Sequence, residues 1–216
     1  MLLTGCVGRS GWDYAPAQSH IVRSGETLFT IAFRYGKDHR DLALWNRLGD
    51  GSLIYPGQVI RLTPPPGSAP RPLARSPAST PPKRPPPRAP AEPPPKWEWP
   101  TNGKIIAGFD NRSGSGTGIE IRGKAGQTVR AAAAGHVVYS GGGLIGYGQL
   151  IIIKHNDTYL SAYGHNASLL AKEGDRIRKG QRIATMGEGP GLEPQLHFEI
   201  RQNGKPVDPR RYLPAR

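Results

Sequence analysis

The sequence contains a single cysteine and no long apolar run. Cys6 is the only cysteine among 216 residues, so neither a disulfide nor a thiolate metal cluster can form within the chain. No stretch of 18 or more apolar residues occurs, so the sequence as written encodes no membrane-spanning helix. The folded parts of the chain must therefore be stabilised by ordinary apolar cores.

Acidic residues are also scarce, with 16 Asp and Glu against 29 Lys and Arg, which gives a net charge of +13. Such a basic chain attracts polyanions, namely nucleic acid, anionic lipid or anionic cell-wall polymer. The basic residues form neither a recognition-helix cluster nor an aromatic-studded sheet motif. Nucleic acid is therefore not expected as a partner.

The residues around Cys6 are typical of a lipidation site. Leu3-Thr4-Gly5-Cys6 resembles a bacterial lipobox, in which the cysteine becomes the lipidated first residue. The basic and apolar segments of a signal peptide do not precede it in this sequence, which leaves a late start, a truncation or a chance match open. We expect lipidation of Cys6 and a flexible tail over residues 1–19. Since Val7 is not an aspartate retention signal, the resemblance favours a periplasmic protein anchored to the outer membrane.

Residues 20–62 predict a small α+β domain with the order strand, helix, helix, strand. The first strand is expected at Ile21-Val22, and the first helix is expected to begin after Thr27 and to end at Gly36. Pro56-Gly57 turns the chain into a closing strand over residues 58–62. The residues of the second helix that we expect to face inward are Leu42, Leu44 and Trp45.

This segment resembles a LysM domain over its whole length. The resemblance rests on Ser-Gly-Glu-Thr-Leu at 24–28, on Asn46 and on Ile-Tyr-Pro-Gly-Gln at 54–58. LysM domains bind N-acetylglucosamine-containing glycans such as peptidoglycan, so the resemblance implies that ligand here. For Thr27 and Tyr55, capping and packing of the fold is the alternative role. The resemblance places the sugar groove between two loops that contain Gly25, Glu26, Thr27, Leu28, Ile54, Tyr55 and Pro56.

Residues 63–96 have the composition of a linker. Sixteen of the 23 prolines lie between residues 64 and 100, and the segment shows no apolar periodicity. Such a segment cannot bury enough surface to offset the entropy of ordering. We expect a basic, disordered spacer, and a ligand for an SH3-like domain is the alternative.

Residues 97–216 predict a mainly antiparallel all-β domain. Short β-branched segments alternate with glycine-containing turns, and residues 141–148 form a glycine-rich hairpin. The predicted strands lie at 104–107, 118–122, 128–131, 136–139, 150–154, 158–163, 182–186 and 196–201.

The same segment resembles the LytM-like zinc endopeptidases of the lysostaphin type. The resemblance includes Gly146-Tyr147-Gly148, Leu196-His197-Phe198-Glu199 and Val207-Asp208-Pro209. In active members, a His-x-x-x-Asp pair and the second histidine of a His-x-His motif bind zinc. The first histidine of that motif and a further histidine act on water.

Three of these five positions have changed in this chain. The first zinc histidine falls on Gly116, the zinc aspartate on Glu120 and one catalytic histidine on Gln195, whereas His165 and His197 remain. Catalytic zinc generally needs three protein ligands, and Glu120 and His197 supply two. We therefore expect no metal, no cofactor and no hydrolase activity. An active zinc murein endopeptidase is the alternative.

The combination of lipobox, LysM domain, basic linker and degenerate LytM-like domain resembles the NlpD-type murein hydrolase activator lipoproteins of Gram-negative bacteria. The resemblance implies a non-catalytic protein that binds peptidoglycan and activates periplasmic N-acetylmuramoyl-L-alanine amidases during septal splitting and daughter-cell separation. A purely structural wall-binding lipoprotein is the other alternative. The expected partner surface is the degenerate cleft, here called the vestigial site, which consists of Gly116, Glu120, His165, Gln195 and His197.

Overall fold

The computed structural model describes residues 18–49, 53–65, 92–110 and 115–216, so Cys6 and most of the predicted linker lie outside the described residues. No helix in these ranges is both long and apolar enough to cross a membrane. The elements in chain order are β1 (Ser19–Ile21), α1 (Leu28–Arg34), α2 (His39–Asn46), β2 (Val59–Arg61), β3 (Lys104–Ala107), a 3-10 turn (Ser115–Thr117), β4 (Ile119–Arg122), β5 (Thr128–Arg130), β6 (Gly135–Gly141), β7 (Gln149–Lys154), β8 (Tyr159–Leu169), β9 (Arg176–Ile177), β10 (Arg182–Met186), β11 (Gln195–Gln202), β12 (Lys205–Val207) and a second 3-10 turn (Pro209–Arg211).

The N-terminal domain has the predicted order of strand, helix, helix and strand. β1 and β2 pair antiparallel, with His20 opposite Ile60. Thr27 caps α1, because its hydroxyl accepts from the Thr30 amide while the Thr30 hydroxyl accepts from the Thr27 amide. The small core of this domain consists of Val22, Leu28, Ile31, Ala32, Leu42, Ala43, Ile60 and Leu62.

Not every residue predicted to face inward in α2 does so. Leu42 is fully buried and Trp45 packs partly against the core, but Leu44 is 57% exposed, so the prediction for Leu44 was wrong. Residues two apart on a helix point about 200° apart, so Leu42 and Leu44 cannot share a face. Asn46 joins the end of α2 to β2, since its amide donates to Arg61 O and its carbonyl oxygen accepts from Arg61 N.

The C-terminal domain is an antiparallel β-sheet, as the sequence predicted. Its main strand order is β3-β4-β11-β8-β7-β6-β9, while β10 joins β5 to β8 and β12 pairs with β11. Eight strands overlap predicted segments, although β8 extends to Leu169, well beyond the predicted end at residue 163, and the short β9 and β12 were not predicted. Glu92 and Pro93, which the sequence assigned to the linker, already contact the turn before β8, because the Glu92 amide donates to the Thr158 hydroxyl and the Pro93 carbonyl accepts from the Asn156 side-chain amide.

Strand β11 separates apolar from polar side chains along its length. Leu196, Phe198 and Ile200 enter the main core, where they are fully buried. His197, Glu199 and Arg201 alternate with them and therefore lie on the opposite face of the sheet. That polar face carries the vestigial site.

Candidate functional site: a vestigial metal site

Strand register brings the retained histidine and the carboxylate together. On β11, His197 lies opposite Glu120 of β4 and opposite Gly164 of β8. Directly opposite side chains of antiparallel strands have Cβ atoms about 5 Å apart, which is hydrogen-bonding reach for these two residues. The register thus positions His197, Glu120 and the neighbouring His165 in one place.

Both ring nitrogens of His197 are held by carboxylates. Nδ1 lies 2.6 Å from Glu120 Oε1 and Nε2 lies 2.9 Å from Glu199 Oε1. Burial alone lowers the pKa of His197, but the hydrogen bonds to Glu120 and Glu199 outweigh it and raise the pKa to about 9. His197 is therefore an imidazolium near neutral pH, and each of its N–H groups donates to a carboxylate.

Glu199 links this pair to a wider polar network. It is fully buried, and Arg201 Nε lies 2.6 Å from its second carboxylate oxygen. The first oxygen also accepts from the hydroxyls of Thr117 and Tyr147. Burial raises the pKa of Glu199, but the charge of Arg201 and the bond from His197 hold it far below its usual range. The network is thus an ion-pair cluster with two cations and two anions.

Gly116 has lost the space for a ligand as well as the ligand. A Cβ atom built on Gly116 would overlap the carboxylate of Asp110. The Asp110 amide also donates to the Gly116 carbonyl, at 3.3 Å. The side chain of Asp110 therefore occupies the volume into which a histidine at 116 would point.

Gln195 is buried beneath the loop that precedes β11. Only 6% of it is exposed, and a Cβ atom on Gly189 would overlap its amide. Glycine at 189 thus lets the backbone of this loop lie directly on Gln195. An amide at 195 neither gains nor loses a proton near neutral pH, so it offers no acid–base chemistry.

His165 is the member of the vestigial site that solvent can reach. It is half-buried, its ring centroid lies 6.0 Å from that of His197, and burial lowers its pKa. Its φ of +58° is unusual for a residue with a side chain. The His165 amide donates to Tyr147 O, and its carbonyl accepts from the Gly187 amide. His165 therefore lies between the 142–148 loop and the 187–194 loop.

These two loops carry exposed apolar side chains. Ile145 is 83% exposed and Leu192 is 78% exposed, the highest values among large apolar residues in the described part of the chain. Leu192 has a φ of +60°, and an ion pair between Arg122 and Glu193 holds the loop beside it. We call Ile145 and Leu192 the rim residues.

A zinc ion does not fit the residues present. Zinc binds imidazole through a ring lone pair, and each His197 nitrogen instead lies within hydrogen-bonding distance of a carboxylate. Glu120 and Glu199 lie on opposite sides of the ring and cannot converge on one ion. Within the described ranges, no three His, Cys, Asp or Glu side chains are placed to hold a metal ion.

Glu199 and Arg201 have roles in this site that were not predicted from the sequence, and so does Tyr147. A signal for the first two was present, because His197, Glu199 and Arg201 stand at every second position of a predicted strand. Three ionisable groups on one face of a strand indicate a polar network or a site. Tyr147 contributed to the resemblance only as part of Gly146-Tyr147-Gly148, and no contact of its side chain was predicted.

The loops predicted to bind glycan combine exposed and structural residues. Tyr55 is 60% exposed, and Gly25, Thr27 and Pro56 are also exposed. Glu26 is engaged within the domain, because its carboxylate pairs with His20 and Arg34. Leu28 is buried in the core and can offer a sugar only its backbone groups, whereas Ile54 is half-buried and packs partly against the core.

Comparison with known proteins identifies both domains. Residues 20–63 match the LysM domain, and residues 114–209 match peptidase family M23. A lipoprotein NlpD/LppB homologue of Pseudomonas aeruginosa is 42% identical over 91% of this chain and 77% of its own length. The outer membrane antigenic lipoprotein B of Histophilus somni is 40% identical over 87% of this chain and 64% of its own length.

A third relative carries a functional name. The murein hydrolase activator NlpD of Escherichia coli is 54% identical over 56% of this chain. The match covers 32% of that protein, so this chain spans about a third of its length. The matched 120 residues correspond in length to the C-terminal domain.

Proposed function

Because this chain belongs to the NlpD/LppB family of lipoproteins, we propose that it is a non-catalytic, peptidoglycan-binding envelope lipoprotein that activates N-acetylmuramoyl-L-alanine amidases. The amidases would split septal peptidoglycan during daughter-cell separation. The LysM domain supports peptidoglycan as the ligand. The name of the Escherichia coli relative supports activation of a murein hydrolase.

One observation carries the non-catalytic part of this proposal. His197, the single zinc histidine that remains, has both ring nitrogens bound to Glu120 and Glu199. An imidazolium in that position cannot activate a metal-bound water, and Gln195 cannot replace the missing histidine as a base. The domain keeps the peptidase fold while its side chains form a salt-bridge cluster.

The mechanism in this proposal is a population shift in the partner. An amidase that alternates between a blocked and an open active site is activated by any protein that binds the open form more tightly. The activator displaces an inhibitory segment from the amidase active site and makes or breaks no covalent bond itself. We assign the contact to the vestigial site, where His165 faces solvent and the buried Glu120, Gln195 and His197 shape the floor.

Anchoring and glycan binding would place the activator at the wall. Lipidation of Cys6 would hold the chain at the periplasmic face of the outer membrane, and the outer membrane lipoprotein name of the Histophilus somni relative agrees with that position. The LysM domain would bind peptidoglycan across the periplasm. The amidase, the glycan and the activator would then share one narrow space.

The test is dye release from labelled peptidoglycan. The Cys6→Ser chain is assayed alone, and then with each N-acetylmuramoyl-L-alanine amidase of its host. We expect no release by the chain alone and a large stimulation of at least one amidase.

Two results would contradict the proposal. Release by the chain alone, abolished in a His197→Ala variant and accompanied by one equivalent of zinc, would indicate an active endopeptidase. No release alone and no stimulation of any host amidase would indicate a structural wall-binding lipoprotein.

A further inference from the structure

Helix α1 has two apolar faces, and only one belongs to the LysM core. Leu28, Ile31 and Ala32 pack inside the LysM domain. Phe33 lies on the other face, where it is 2% exposed, and Phe29 lies one turn before it. The residues that bury Phe33 are in the M23 domain and consist of Leu144, Leu150, Ile152 and Ala162, which together with Arg201 we call the docking face.

Arg201 stabilises this contact through its charge, which lies over the Phe33 ring, and through a hydrogen bond. Its guanidinium carbon lies 3.4 Å from the centre of the Phe33 ring, and Nη1 donates to the Phe33 carbonyl. That carbonyl lies in the last turn of α1, where it also accepts from the Gly36 amide just beyond the helix, at 3.2 Å. With Phe33 in place, Arg201 is 2% exposed. The LysM domain thus supplies both a ring and an acceptor to a buried cation.

Two further contacts hold the domains together. Arg40 of α2 lies 3.4 Å from the carboxylate of Asp157 and donates to its carbonyl. Gly204 lies so close to the backbone of Lys37 that a Cβ atom at 204 would overlap the Lys37 carbonyl. Backbone contact of this kind requires complementary surfaces.

The docking face is continuous with the vestigial site. Glu199 accepts hydrogen bonds from both Arg201 and His197. The Tyr147 ring packs edge-on between the ring of Phe33, at 5.6 Å, and the ring of His197, at 5.4 Å. A partner that binds the vestigial site and extends along the same face of the sheet therefore meets α1.

We propose that α1 of the LysM domain is an intramolecular competitor of the amidase for the docking face. This inference rests on the proposed function and adds its regulation. In the docked form α1 withholds the apolar face beside the vestigial site, and release of the LysM domain exposes it. An exposed face that contains four apolar side chains and an arginine is a protein-binding surface.

Chain length permits this release. The 26 residues between Pro65 and Glu92 can span up to about 90 Å when fully extended, which far exceeds the size of either domain. The LysM domain can therefore leave the docking face while both domains stay folded. A competitor that occupies a site most of the time reduces the apparent affinity of the partner by the fraction of open molecules.

The experiment uses the full Cys6→Ser chain and four variants of it, one of which is a control. Phe33→Ala removes the ring that fills the docking face but no member of the LysM core. Arg40→Glu breaks the second contact, and Arg40→Glu with Asp157→Arg restores that contact with reversed charges. Neither variant keeps the bond of Arg40 to the cap residue Asp38, and the double variant also loses the pair of Asp157 with Lys154. Leu44→Ala changes an exposed apolar residue of the same domain and serves as the matched control.

Small-angle scattering measures domain separation, and amidase assays measure the concentration that gives half-maximal stimulation. We expect Phe33→Ala to increase the radius of gyration and to lower that concentration roughly tenfold. Arg40→Glu should shift both quantities in the same direction, and the double variant should reverse the shift. Peptidoglycan pelleting, unchanged in all variants, shows that the LysM domain remains folded.

Two outcomes would overturn the inference. Scattering that Phe33→Ala leaves unchanged would show that the domains are not docked in solution. An open Phe33→Ala variant whose half-maximal concentration equals that of the parent would show that α1 does not compete. Failure of the proposed function can be told apart from these two outcomes, because the parent chain and every variant would then leave all amidases unstimulated. That result would also overturn the competition.

Discussion

His197 and Glu120 lie directly opposite each other on β11 and β4, with Nδ1 2.6 Å from Oε1. In an active relative of this fold, the corresponding groups would face a divalent cation. Here the imidazolium is itself the cation between Glu120 and Glu199. The charge needed to hold two buried acids in one place therefore comes from a proton instead of a metal.

The first prediction is an alkaline loss of stability that depends on His197. The folded pKa is raised to about 9 from an ordinary value of 6.5, so the folded state binds more protons between these pH values. The stabilisation is complete below pH 6.5 and is lost as the pH rises through 9. Urea unfolding should show the free energy of unfolding falling by up to roughly 3 kcal/mol over this window.

A His197→Gln variant tests the assignment. It should be less stable than the parent at pH 6.5, and its free energy of unfolding should vary less between pH 6.5 and 9. A variant as pH-dependent as the parent in this window would place the effect on another group.

The second prediction is an acid loss of stability that depends on His155. Burial lowers the pKa of His155 to about 4, although its bond to the Ala134 carbonyl opposes this. The unfolded state then binds more protons between pH 4 and 6.5, so stability is present above pH 6.5 and is lost as the pH falls towards 4. The loss should reach up to about 3 kcal/mol in urea unfolding.

In the His155→Asn variant, the free energy of unfolding should fall less between pH 6.5 and 4, while the fall between pH 6.5 and 9 that depends on His197 remains. The ring of His155 packs against Trp97 and forms a hydrogen bond with Ser161, so the variant is expected to be less stable at every pH. A parent whose stability is constant between pH 4.5 and 6.5 would contradict the prediction.

Most of the fold could be predicted from the sequence, but little of the internal geometry of the vestigial site could. The domain order, the capping Thr27 and eight of the sheet strands follow from local periodicity and turn residues. The clash of a side chain at 116 with Asp110 arises from a loop contact that no local pattern encodes. The positions that differ from active peptidases could be predicted from the sequence. The groups that now occupy the space of the missing ligands could not.

Domain docking was missed for a related reason. We expected two domains on a spacer, because the linker composition dominates residues 63–96. A signal was nevertheless present in α1, since Phe29 and Phe33 extend its apolar surface beyond the stripe of Leu28, Ile31 and Ala32. A helix that is apolar on most sides is buried on most sides.

The third prediction concerns restoration of the missing zinc ligand. Gly116→His alone should not bind zinc, because Asp110 occupies the space of the new ring and His197 remains bound to two carboxylates. The overlap should also lower the free energy of unfolding, by about 1–3 kcal/mol for an overpacked site. Metal analysis after dialysis against zinc should give well below one equivalent.

A matched variant separates the two causes. Gly116→His with Asp110→Ala removes the overlap and should recover part of the stability without gaining metal, since both His197 nitrogens stay bound to carboxylates. One equivalent of zinc in the single variant would show that the cluster around His197 yields to a metal.

The fourth prediction concerns the glycan loops. Tyr55→Ala should weaken pelleting with peptidoglycan, because Tyr55 is 60% exposed and can stack on a sugar ring. Thr27→Ala is a poorer probe, since loss of the cap of α1 costs about 1 kcal/mol of stability in addition to any contact. Val59→Ala, on an equally exposed side chain of the same domain, is the control and should pellet like the parent. Pelleting of Tyr55→Ala at the parent level would remove Tyr55 from the groove.

The last prediction concerns the rim residues. Ile145→Asn and Leu192→Asn should each raise the activator concentration needed for half-maximal amidase stimulation about tenfold or more, as loss of an interface anchor does. Asparagine tolerates the left-handed backbone at 192, so neither variant should change the free energy of unfolding by more than about 0.5 kcal/mol. Leu44→Asn, on the LysM domain and 57% exposed, is the control and should leave stimulation unchanged. Because His165 lies between the two loops that carry Ile145 and Leu192, equal stimulation by both rim variants and the parent would move the amidase contact away from the vestigial site.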